Sequence, residues 1–448
     1  MTDMIRKWIF KHPSMVNKIV ILSTTLLILL PTFALGLQIY KQSSNVPYMD
    51  QWELVWDFQK LDRGQYGIND LWRQHNEHRL LFPRLVMITD AYITHWNVRY
   101  EMAITFVFAI LCLTILYLVL RKQNILRLSG WLFFLVMFAI SVMLFSFNQA
   151  ENWLWGWQLQ WTLTCLGVLV AIWALSREQL KNYHYLVAIA AATVATYSLG
   201  SGQFIWVIGL FLLYAFGHKL RYWFLAATPV LISYYYSYSK VGSPLTPHDI
   251  IVRPAAPIKY FFAYIGRPLT ENIYYAFFLG VLGIVVFIIC LVLAYRANTG
   301  SLRNKLQIIA VPVALSSFAF LSGAATTLSR TNFGIGQALS SRYITVSTYF
   351  WIALLIAFIT ALYTNTKKSA FLLIGTNFLC IFLAAVIAAS NKSTIFFSQD
   401  ANMLKHISTC TKQLPLEDTC LKSAYPTVDK IKRDIQYLKD KQWAGYSN

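Results

Sequence analysis

Apolar runs of about 20 residues, each closed by a short polar stretch, recur from Ile19 to Ser390, and a helix of that length crosses a bilayer. They fall at Ile19–Tyr40, Tyr100–Leu120 and Gly130–Phe147, with a fourth closing at Arg177. Two more flank Gly200-Ser201-Gly202, followed by Tyr222–Ser239 and a run closing at Arg296. Leu306–Leu328, a run closing at Lys367 and Lys368, and Ala370–Ser390 complete the series. The pattern predicts an all-α polytopic membrane protein with about 11 transmembrane helices, occupying residues 1–390. The sequence lacks the alternating short segments of a membrane β-barrel. Its first run is too long, and too poor in small residues at its end, for a cleaved signal peptide, so it predicts a retained helix.

Three longer polar segments interrupt the pattern: a first loop at 41–99, a proline-rich loop at 240–271 and a tail at 391–448. Lys and Arg gather in the short loops. By the positive-inside rule the leader Met1–Lys18, with Arg6, Lys7, Lys11 and Lys18, is cytoplasmic. An odd number of crossings then puts the first loop, the proline-rich loop and the tail together on the outer face. In the tail, apolar residues from Val428 to Leu438 recur at helical spacing after Tyr425-Pro426-Thr427, which predicts an amphipathic helix.

Composition adds two points. The chain of 448 residues is 57% hydrophobic and 13% charged, with a net charge of +19. That excess sits in short loops and not on one basic face, so it points to topology and anionic lipid, not nucleic acid. Of the six cysteines, Cys112, Cys165, Cys290 and Cys380 fall in apolar runs. Cys410 and Cys420 lie close together in the tail and predict a disulfide in an oxidising compartment.

Candidate chemistry concentrates in Tyr48–Arg84 of the first loop. One end reads Asp50-Gln51-Trp52-Glu53, the other His75-Asn76-Glu77-His78-Arg79, with Trp56, Tyr66 and Trp72 between. Asp50, among aromatics near the bilayer surface, is a candidate general base; a helix cap is its plain alternative. Glu77 lies between two histidines and beside Arg79, which is a candidate phosphate clamp or partner for the acid. His75 and His78, one helical turn apart, would share a face. With Asp50 they form an alternative divalent-metal set, against which hydrogen bonding to substrate hydroxyls is preferred. Arg330 and Arg342 flank Gly334 and Gly336 and suit a lipid phosphate, or serve as interfacial anchors. Arg267 and Lys259 in the proline-rich loop are further cations, and Glu151, Asn152 and Trp153 are candidates for an acceptor side. The runs carry almost no ionisable groups, which disfavours an ion-coupled transporter.

With Asp50 and Glu77 in a first outer loop soon after the first of about 11 helices, the chain resembles the GT-C glycosyltransferases. Its size and tail are most similar to the bacterial serotype-converting enzymes that glucosylate O-antigen. The loop carries Asp50-Gln51 where O-mannosyltransferases have an acidic pair, and Trp155-Gly156-Trp157 is not the WWDYG-type motif of oligosaccharyltransferases. The resemblance implies a bacterial inner-membrane enzyme with a periplasmic site. Its donor would be a polyprenyl-phosphate-linked sugar such as glucose, and its acceptor a lipid-linked glycan such as O-antigen. Asp50 would be the base, assisted by Glu77, with Arg342, Arg330 or Arg79 on the leaving phosphate. No nucleotide or other cofactor is required by this scheme; a divalent metal is the open alternative. Two competing readings are an O-antigen or capsule polymerase working through outer-loop arginines, and a flippase for lipid-linked sugars.

Overall fold

Each apolar run of the sequence forms a helix in the computed structural model, which describes residues 13–122, 130–242, 244–365, 368–413 and 415–446. Arg6, Lys7 and Lys11 of the basic leader, and Lys367, lie outside the described residues. Helix α1 spans Pro13–Gln42 and leads into the first loop, which holds α2 (Leu54–Asp62), α3 (Ile68–Trp72) and α4 (Leu81–Thr94). Between α3 and α4 sits a hairpin of β1 (Gln74–His75) and β2 (His78–Arg79). The chain continues through α5 (Arg99–Lys122), α6 (Gly130–Leu144), a short α7 (Ala150–Leu154) and α8 (Leu159–Leu175). Three shorter helices follow: α9 (Asn182–Thr196), α10 (Ile205–Phe216) and α11 (Arg221–Tyr235). Then come α12 (Pro247–Val252), α13 (Ala255–Gly266), α14 (Ile273–Ala297), α15 (Leu302–Arg330), α16 (Ile344–Asn365) and α17 (Lys368–Lys392). The tail contains α18 (Thr394–Cys410), α19 (Asp418–Ala424) and α20 (Val428–Lys441).

Length and apolarity qualify 8 helical stretches, among the described residues, to cross a membrane. The protein is therefore an all-α, multi-pass membrane protein by composition and length. The remaining three, α9, α10 and α11, have 15, 12 and 15 residues. At about 1.5 Å per residue they fall short of a hydrocarbon core of about 30 Å. They nevertheless run between the same two ends of the bundle. At one end the Gly200 amide donates to Nδ1 of His78, and Arg79 donates to the Tyr234 and Tyr236 carbonyls. At the other, Tyr185 donates to the Lys219 carbonyl and His218 meets the Arg177 carbonyl.

Central and peripheral helices differ as their sequences require. Helix α16 is apolar all round and buried along most of its length, and α8 is nearly so. Helices α1, α14 and α17 leave large apolar residues exposed, including Leu22, Phe33, Ile288 and Ile381. Such outward apolar faces match hydrocarbon.

The proline-rich segment 240–271 departs from its expected loop form. Pro247 opens α12 at the first turn, where its missing N–H costs nothing, and Thr246 caps that helix by accepting from the Asp249 amide. Helix α13 packs tightly on α14 because Gly266 and Gly280 face it. A Cβ on Gly266 would lie 1.9 Å from the Ala276 carbonyl oxygen, and one on Gly280 2.0 Å from that of Phe262. In the tail the expected amphipathic helix is present as α20, and Cys410 is bonded to Cys420. Helix α20 and the Tyr425 before it lie against the first loop. Tyr425 donates to Glu53 (2.5 Å), Tyr437 and Lys441 reach Asp62 (2.6 Å each), and Lys430 donates to the Trp52 carbonyl (3.1 Å).

Candidate active site

A buried ionic core shapes the first loop. Asp57 on α2 accepts from Arg73 at 2.5 and 2.9 Å, with Arg84 Nε at 3.6 Å. Burial pushes the Asp57 carboxyl up, opposed by those two guanidiniums. Arg84 also donates to the Leu71 carbonyl at 2.8 Å. This ties α2, α3 and α4 into one block and fixes the hairpin between α3 and α4.

The hairpin corrects the helical reading of His75 and His78. They are cross-strand partners, and Asn76 turns the chain with φ of 48°, a left-handed value that Asn tolerates. Their side chains take different partners. Nε2 of His75 lies 3.4 Å from Asp50 Oδ2 and 3.2 Å from Asn76 Nδ2. Nδ1 of His78 accepts the Gly200 amide at 3.1 Å. Burial, then the neighbouring His75 and Arg330, pushes His78 down to about 3, so it is neutral. Among the described residues no three His, Cys, Asp or Glu side chains gather as a metal-binding group. The alternative set of His75, His78 and Asp50 is not assembled, because His78 is spent on the Gly200 turn.

Asp50, His75, Asn76, Glu77 and His78 from the first loop line a cavity of about 450 Å³. Arg330 at the end of α15 and Arg342 beyond it line it too, 253 residues from Glu77 in the case of Arg330. Trp155, Trp157 and Trp161 form an aromatic wall, and Lys240 and Tyr238 come from the segment after α11. Gln158, Gln160 and Ser322 add buried polar lining, with side-chain oxygens that have no hydrogen-bond partner among the described residues. Aromatic faces and neutral hydrogen-bonding groups in one concavity suit a sugar ring; the acids and guanidiniums beside them suit its transfer.

The charged groups are paired unequally. Arg330 donates to Glu77 Oε2 at 2.7 Å, both of them within the cavity lining. Arg342 Nε lies 3.6 Å from Glu151, which is outside the lining, with Ser340 between them: Arg342 donates to its hydroxyl, which donates to Glu151. Asn152 donates to the Arg342 carbonyl at 3.0 Å. Asp50 lies beside His75 and is 40% exposed, so it is more available than Glu77, the other carboxylate of the cavity lining, at 20%.

Other sequence candidates lie behind the cavity. Arg79 is 4% exposed and donates to the carbonyls of Trp72, Tyr234 and Tyr236, so it anchors the hairpin to α11 and has no free donor face for phosphate. Gln51 donates to Glu101 at 2.6 Å, and Glu101 also accepts from Trp96 at 3.0 Å. Trp52 is fully buried and packs edge-on against Tyr446. Arg267 donates to the Leu339 carbonyl at 2.6 Å and lies 3.7 Å from Glu271, which steadies the segment before Arg342. Trp153 is buried, donating to Ser146, and Lys259 is exposed away from the cavity.

Sequence reading missed Gln158, Gln160, Trp157, Trp161 and Ser322. The available signal was a pair of glutamines two residues apart at the head of an apolar run. No family model, curated protein or solved structure matches the chain significantly.

Proposed function

We propose that the protein is a GT-C-like glycosyltransferase that moves a sugar, such as glucose, from a polyprenyl-phosphate carrier to a lipid-linked glycan such as O-antigen. In this reading all eleven long runs cross a bacterial inner membrane. The leader is cytoplasmic, and the cavity and tail are periplasmic. The observation that carries it is the convergence of Asp50, Glu77, Arg330 and Arg342, from distant segments, on one tryptophan-walled cavity.

Asp50 takes the proton of the acceptor hydroxyl. The oxygen attacks the anomeric carbon from the face opposite the phosphate, forming the new glycosidic bond and inverting that carbon. The bond from that carbon to the phosphate oxygen breaks, and its electron pair leaves with the polyprenyl phosphate. Arg342, held from behind by Glu151 and Ser340, stabilises the charge that develops there. His75 orients Asp50, and the proton passes on to the leaving phosphate or water. Tryptophan faces hold the sugar ring, and Gln158 and Gln160 offer hydrogen bonds to its hydroxyls.

The test is product formation in membranes supplied with polyprenyl-phosphate glucose and lipid-linked glycan. Parent protein should glycosylate the glycan, and Asp50→Asn, present at equal level, should not. Equal activity in both would remove Asp50 from the chemistry and the transferase mechanism with it.

A further inference from the structure

The two arginines of the cavity are held by glutamates in opposite ways, and this difference carries an inference about donor binding. It rests on the transferase reading above. Glu77 and Arg330 both face the cavity, joined by a single short contact of 2.7 Å, with side chains 20% and 29% exposed. An incoming phosphate would meet Arg330 with a carboxylate already on it. Glu151 sits behind Arg342, outside the cavity lining, and is bridged to it by Ser340. A phosphate can reach Arg342 without touching Glu151.

We propose that Glu77 is an exchangeable counter-ion, displaced from Arg330 when the donor phosphate binds, whereas Glu151 is a fixed backing that keeps Arg342 aimed. The exchange is non-covalent. One Arg330 N–H···Oε2 contact opens, an Arg330 N–H···O–P contact replaces it, and Glu77 is released into the cavity beside Asp50. The donor's phosphodiester brings one charge and two free oxygens to the fork, as a carboxylate does, so the donor's other contacts drive the exchange, and the monoester that leaves, with more charge and more free oxygens, holds the fork more strongly. Binding of a lipid phosphate thereby frees a second carboxylate in the cavity.

The two glutamates should then affect donor affinity in opposite directions. Glu77→Gln removes the competitor and should tighten phosphate binding, by up to about fivefold for a partly exposed ion pair. Glu151→Gln removes the backing and should weaken binding by a similar factor. The experiment titrates the detergent-solubilised full chain with farnesyl phosphate, following the fluorescence of the cavity tryptophans. Farnesol is the lipid control and inorganic phosphate the head-group control. Tighter binding by Glu77→Gln of farnesyl phosphate but not farnesol, lost on an Arg330→Gln background, supports the exchange. Unchanged or weaker binding by Glu77→Gln, with normal binding by the parent, overturns it and leaves the transferase reading intact. No binding by the parent overturns both. Thermal melting of each variant checks that it is folded, so that a weaker signal is read as affinity.

Discussion

Asp50 Oδ2 and His75 Nε2 stand 3.4 Å apart, reached from opposite ends of the loop between α1 and α5. The block built on Asp57, Arg73 and Arg84 holds the histidine, and a tight turn starting at Met49 (φ 45°) presents the acid. Two independent pieces of scaffold thus fix one carboxylate–imidazole pair. Asp50→Asn is expected to lower transfer by about 10²- to 10⁴-fold, the range of a general base. His75→Gln, which leaves the base but loosens it, is expected to cost on the order of tenfold. Initial rates at saturating donor, normalised to protein on an immunoblot, separate the two.

Arg79 is expected to behave as a structural residue. Its guanidinium satisfies three backbone carbonyls from α3 and α11. Arg79→Ala would leave the Tyr234 carbonyl buried and unpaired and strip the donor from the other two, at a loss of about 1–3 kcal/mol. Thermal melting in detergent should show it, and Arg79→Lys should recover only part, since an ammonium lacks the planar fork. A variant with parental stability and a raised donor KM would return Arg79 to the phosphate site.

His78 makes folding sensitive to acid. Its folded value of about 3 lies below its ordinary 6.5. The unfolded chain therefore binds a proton first as pH falls. The stability held by neutral His78 is full above about pH 6.5, is drawn down below it, and is gone once pH passes about 3. The melting temperature is expected to drop between pH 7 and pH 4, and His78→Asn, which keeps an acceptor for the Gly200 amide, should flatten that slope.

The helices were legible because a 20-residue apolar run has few other fates in a membrane protein, and the length rule rests on no partner. Helices α12 and α13 were hidden because their prolines read as a loop, although Pro247 sits where a helix accepts one. Residues three apart face each other in a helix and also across a two-residue hairpin turn, so His75 and His78 misled. Residue type alone singled out Asp50, Glu77, Arg330 and Arg342. Burial separated them from Gln51, Trp52 and Arg79, and burial depends on distant partners: Arg79 meets Tyr234 across 155 positions. Gln158 and Gln160 vanished into the average of the run they open.

Cys410 and Cys420 close a loop ten residues apart in sequence. Removing the bridge with Cys410→Ser is expected to cost about 2–3 kcal/mol of local stability through chain entropy. Because Tyr425, which follows α19, and Tyr437 of α20 bind Glu53 and Asp62, the loss should appear first as faster amide exchange in the tail and in α2. Reductant should lower the melting temperature of the parent and leave the Cys410→Ser variant unchanged.

Gly156 separates two cavity tryptophans and admits a carboxylate. A Cβ there would stand 2.2 Å from Glu101 Oε2 and 2.8 Å from Gln51 Nε2. Gly156→Ala is therefore expected to push apart the contact that seats the turn of Asp50. A fall in kcat on the order of tenfold or more, with donor binding within about twofold, is the expected signature of a displaced base. Loss of binding and rate together would instead indicate a collapsed tryptophan wall.

The tail's grip on the first loop also sets a clock. Asp62 and Tyr437 touch, yet 375 positions separate them. At a synthesis rate of about 5–20 residues per second, roughly 20–75 s pass between the emergence of the first loop and that of the helix that fastens it. Through that interval the first loop lacks the helix that fastens it. On the proposed transferase reading, a nascent copy holds its Asp50 turn loosely until the tail helix emerges, and should consume little carrier lipid before then.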